Sequence, residues 1–75
     1  MRLIDSTMSD PVILRRIQEH YHGCAARDFP GEVPAVVRDT LTAAERALAR
    51  LRAAGEPFNH DTFIETMGEE VPGPG

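Results

Sequence analysis

The chain has 75 residues, 41% hydrophobic, 27% charged and 5% aromatic, so it forms at most one small domain with too little wall for a pocket-bearing enzyme. No run of about 18 apolar residues is present to span a membrane, and Met1 to Asp5 lack an apolar core of signal-peptide length, so a cytoplasmic protein is expected. Cys24 is the only cysteine, which excludes an internal disulfide framework and a zinc site built from several cysteines; packing, a partner, or both must hold the chain together.

The 8 arginines and 12 acids give a net charge of −4, which argues against generic binding to a phosphate backbone. All 8 arginines lie within residues 1–55, whereas residues 56–75 hold 5 acids and no Lys or Arg. In chain order, Leu3-Ile4 followed by Asp5-Ser6-Thr7 reads as a flexible arm over residues 1–9. Asp10 can cap free backbone N–H groups and Pro11 suits a first helical position, so a helix is expected over about 11–26. Its apolar residues Leu14, Ile17, Tyr21 and Cys24 step by 3, 4 and 3, widened by Ile13. Phe29-Pro30-Gly31 has the order of a type II turn, with Phe29 tucked beneath it.

Pro34 opens the second helix, expected over 34–54, where Val37, Leu41, Ala44, Leu48 and Leu51 step 4, 3, 4 and 3. That is the seam of a helix packed lengthwise on another, and its length relative to its neighbours points to a second copy or another protein along part of it. Thr42-Ala43-Ala44-Glu45 also reads as a capping box that would start a new helix at residue 43; the unbroken seam favours one helix. Gly55 and Pro57 stop it. Asn59 then caps a short helix over 60–67, with Phe58 and Phe63 placed as a hydrophobic staple. The fold expected is an all-α three-helix domain over residues 10–68, followed by a disordered acidic tail over 69–75.

Among chemistry-bearing residues, His20 and Cys24 share a helix face at a spacing acceptable for two zinc ligands, with His22 or His60 as further donors. Gly23 interrupts that run and no C-x-x-C frame is present, so the expectation is no metal and no cofactor, with Cys24 a small apolar group beside Tyr21. Cys24 with a histidine also fits a nucleophile and base, but no Gly-rich oxyanion loop accompanies it and no enzyme is expected. Arg38, Arg46, Arg50 and Arg52 make the outer side of the second helix cationic, suited to an acidic protein surface or to phosphates.

Residues 44–68, with a helix ending in Ala54-Gly55-Glu56-Pro57, a polar cap at Asn59 and a short helix closed by Gly68, resemble the first two helices of bacterial helix-turn-helix regulators. The resemblance covers a third of the chain and implies helix placement. Where that family has a Ser/Thr-rich recognition helix this chain has Glu69-Glu70-Val71-Pro72, so no DNA-reading residue carries over.

The function expected is that of a small non-catalytic interaction or regulatory protein that binds and modulates a larger protein, as accessory subunits, antitoxin-like regulators and phage-type inhibitors do. Arg38, Arg46, Arg50 and Arg52 are its contact residues, and Val37, Leu41, Ala44, Leu48 and Leu51 its packing or homodimer seam. The alternatives are a nucleic-acid-binding regulator using the same arginines and a zinc-responsive module at His20 and Cys24. Leu48→Asp puts a charge into the seam and is expected to unfold the chain or split a dimer, read by helicity and mass in solution. Both unchanged would refute the seam.

Overall fold

Pro11 and Pro34 each stand in the first turn of a helix, where a missing N–H costs nothing. The computed structural model describes residues 3–71 and consists of α1 (Asp10–Asp28), α2 (Val33–Ala54) and α3 (His60–Glu70), with no strand among the described residues. The all-α class and the three-helix order follow the periodicity. α2 is one continuous helix: Thr42 donates its hydroxyl to the Arg38 carbonyl at 3.0 Å, one turn back, rather than capping a new start.

Three alanines set the packing. Ala43, Ala44 and Ala47 are all fully buried, and their small side chains let α1 approach α2 from one side and α3 from the other. Ile13 and Ile17 of α1 and Phe63 and Met67 of α3 fill the same core together with Leu48. Fully burying each larger side chain contributes about 1.5–3 kcal/mol, so this cluster carries most of the stability available to the chain.

The helix ends show where local sequence acts directly. Gly55 takes the left-handed conformation (φ 72°) that closes α2, and its N–H donates to the Arg52 carbonyl at 3.1 Å. Asn59 accepts from the Thr62 N–H at 2.9 Å, and the rings of Phe58 and Phe63 stand 6.0 Å apart across the cap.

Four expectations need correction. Asp10 is not the cap of α1: Ser9 holds that position without a side-chain bond, and the Asp10 carboxylate pairs with Arg52 at 3.0 Å. The turn at Pro30-Gly31 closes through Glu32 N–H to the Phe29 carbonyl at 2.9 Å but is not type II, since only Gly55 among the described residues has positive φ. Phe29 is 53% exposed, not tucked away.

The third correction concerns the N-terminal segment, which is packed from Leu3 onward. Ile4 is 1% exposed and belongs to the central core. Ser6 N–H donates to the Phe58 carbonyl at 2.9 Å, while Arg16 donates to the Leu3 carbonyl and Arg52 to the carbonyls of Ser6 and Met8, each at 2.8 Å. The Asp5 carboxylate accepts from both the hydroxyl and the backbone N–H of Thr7, which holds its pKa below the usual carboxylate value and turns the chain. Hydrogen bonds to charged donors thus do what a short apolar pair alone could not.

The fourth is that α3 runs through Gly68 to Glu70, so the acidic segment is partly helical. Two carboxylates at a helix C-terminus oppose its dipole, and Arg50 offsets this by pairing with Glu70 at 2.9 Å and Glu69 at 3.4 Å. Residues 1–2 and 72–75 lie outside the described residues.

Leu48, 4% exposed within the core, resolves the choice left by its seam position: Leu48→Asp is expected to unfold the monomer. Ile4→Ala is expected to cost about 2–4 kcal/mol in urea denaturation and Arg52→Ala about 1–3 kcal/mol. Because both release one segment, the double variant should lose less than the sum. An arm that contributes nothing would leave the midpoint unmoved in all three.

Candidate interaction surface on the second helix

The four arginines expected to form one contact face divide into two sets. Arg52 is occupied within the fold: besides its two carbonyl acceptors and Asp10, its guanidinium lies over the Phe58 ring, 5.2 Å from the centroid. Arg50 is taken by the end of α3. Arg38 remains exposed, and among the described residues only its sequence neighbour Asp39 is within ion-pair reach, at 3.7 Å. Arg46 is exposed and has no ion pair among the described residues. The cationic surface open to a partner therefore centres on the first two thirds of α2.

The seam divides as well. Ala44 and Leu48 are in the core and Leu51 packs against it. Val37 and Leu41 stay outside that cluster and, with Val33 and Pro34, line a groove of about 460 Å³ bounded by His22 of α1 and by Arg38 and Glu45. Length explains the division: at about 1.5 Å per residue, the 22 residues of α2 span about 33 Å and the 11 of α3 about 16 Å. A heptad pattern read along one helix does not show where its neighbour stops. Glu45 and His22, polar residues of unremarkable spacing, were missed as groove residues for the same reason; Arg16 was missed as an anchor because its carbonyl acceptor lies 13 residues away.

His20 and Cys24 do come together, with the His20 Nε2 3.5 Å from the Cys24 sulfur, and Arg27 approaches the same sulfur at 3.9 Å. No group of three or more His, Cys, Asp or Glu side chains able to hold a metal ion occurs among the described residues. The His20 ring meets Tyr21 edge-on at 4.9 Å. Burial, reinforced by the nearby Arg27 and His60, holds the His20 pKa below its usual 6.5, and burial also raises that of Tyr21. A neutral imidazole beside a half-buried thiol is a packed polar pair.

No helix of the described residues is long and apolar enough to cross a membrane. Compared with protein families, curated proteins and solved structures, the chain finds no match.

The lowered pKa of His20 fixes the sign of a pH response. The unfolded chain takes up a proton near 6.5 before the folded one does, so the stability contributed by neutral His20 is present above 6.5 and is lost as pH falls through the lower folded value. The urea midpoint should decline over that interval, and His20→Gln should flatten the decline.

Proposed function

We propose that this chain is a non-catalytic cytoplasmic interaction protein that binds and modulates a larger protein through the outer face of α2. The observation that carries this reading is Arg46, an exposed cation without an ion pair among the described residues on a helix whose other arginines are largely engaged. On a chain of net charge −4, such a face selects orientation: an acidic partner is repelled elsewhere and attracted here. Arg46 and Arg50 also stand one turn apart with like charge, a small cost that an acidic surface relieves.

The rival reading, a nucleic-acid-binding regulator like the helix-turn-helix proteins that residues 44–68 resemble, draws on the same arginines. The internal pairs of Arg50 and Arg52 leave few cations for phosphates, which weighs toward a protein partner. A zinc-responsive module has only the His20 and Cys24 pair to build on.

The test is a tagged pull-down from nuclease-treated lysate of the native host. One protein recovered near equimolar, and lost with Arg46→Glu at unchanged helicity, is the expected result. Bait alone, with nucleic acid recovered only when nuclease is omitted and released steeply between 50 and 200 mM salt, overturns it in favour of the regulator.

A further inference from the structure

We infer that the groove along the first half of α2 seats a second copy of this chain, with the two α2 helices antiparallel about a two-fold axis beside Leu41 and Thr42. Pro34, Arg38, Leu41 and Glu45 step by 4, 3 and 4 residues and so form one stripe, with Val37 widening its apolar centre. The stripe carries one positive and one negative charge, two turns and about 10.5 Å apart along the axis, too far to pair within the helix. Glu45 has no ion pair among the described residues, and the contact of Arg38 with Asp39 joins adjacent, well-exposed side chains (75% and 58%).

Reversing a second α2 so that Leu41 meets the partner's Thr42 brings Arg38 opposite the partner's Glu45, and Glu45 opposite the partner's Arg38. The same register sets Pro34 against the partner's Ala49, an exposed alanine whose short side chain allows close approach. A parallel arrangement would oppose like charges at both positions. A uniformly acidic helix would be repelled by Glu45 and a uniformly basic one by Arg38. The chain itself carries a stripe that complements this one, which is the condition for an isologous interface. Contact along residues 34–49 is one helix face about 24 Å long, a small patch beside the 1,200–2,000 Å² of a standard interface, so the dimer is expected to dissociate on dilution.

This surface adjoins the proposed partner face: at 100° per residue Arg46 lies about 140° round the helix from Leu41 and about 40° from Thr42, at the rim of the groove.

Sedimentation equilibrium tests the inference. The wild-type mass is expected to rise with concentration from 8.3 kDa toward twice that value. Arg38→Glu and Glu45→Arg should each weaken association by roughly tenfold, because each creates two like-charge contacts, and the Arg38→Glu/Glu45→Arg double variant should recover most of the loss. Leu41→Asp should be monomeric with unchanged helicity. A wild type at 8.3 kDa at every concentration overturns the inference, as does a double variant no stronger than its parents or a Leu41→Asp chain that still dimerises. The Leu41→Asp chain keeps Arg46, so its recovery of the protein partner in the pull-down tests the partner reading apart from self-association, and failure of the one reading is distinguishable from failure of the other.

Discussion

Everything in this fold depends on the close approach permitted by Ala43, Ala44 and Ala47. α1 and α3 each pack on α2, with Ile13, Ile17, Phe63 and Met67 drawn into one cluster across that small-residue face. A bulky side chain at any of these alanines would push a flanking helix outward and open a gap at the other large residues, since a packed interior has no slack to absorb it. A short chain gains a continuous core this way because one helix serves two neighbours. The cost is that the core is confined to the part of α2 that both neighbours reach.

Around that core, arginine does the work of missing apolar surface. Arg52 alone gathers Ser6, Met8 and Asp10 onto the C-terminal turn of α2 and covers Phe58, while Arg16 holds Leu3 from α1. Its planar, forked donors reach several backbone oxygens at once, which a lysine could not reproduce. With the backbone so held, Ile4 enters the core and closes its edge. Arg50, two residues before Arg52 on the same turn of α2, plays a smaller version of the part for the end of α3, allowing that helix to continue through two acidic residues. Arginines that read in sequence as a recognition surface are thus in good part internal fasteners.

What remains open is a strip along the first two thirds of α2, and the same asymmetry gives it two adjoining surfaces. One is the groove of Val37 and Leu41 with opposite charges at its two ends. The other is the outer face with Arg46. A small protein that modulates a larger one needs a rigid presenting element and a surface free of internal obligations. The core-facing side of α2 supplies the first and the exposed strip along its first two thirds the second. Self-association through the groove would in addition present two outer faces at once, so that a weak single contact becomes a bivalent one.

Local chemistry was legible from the sequence because it acts over a few residues. Apolar steps of 3 and 4 placed the first two helices, Gly55 marked the end of the second, and the Asn59 cap with the Phe58 and Phe63 staple placed the third. The pairing of His20 with Cys24 was likewise readable from one helical turn. Other features depended on residues far apart in sequence. Whether Val37 and Leu41 belong to the core or to an open groove turns on the reach of α3, and whether Arg52 meets a partner or holds Ser6 turns on where the chain's own N-terminal segment comes to rest. Periodicity assigns a residue to a face of its helix, but what covers that face is decided only when helices of unequal length are brought together.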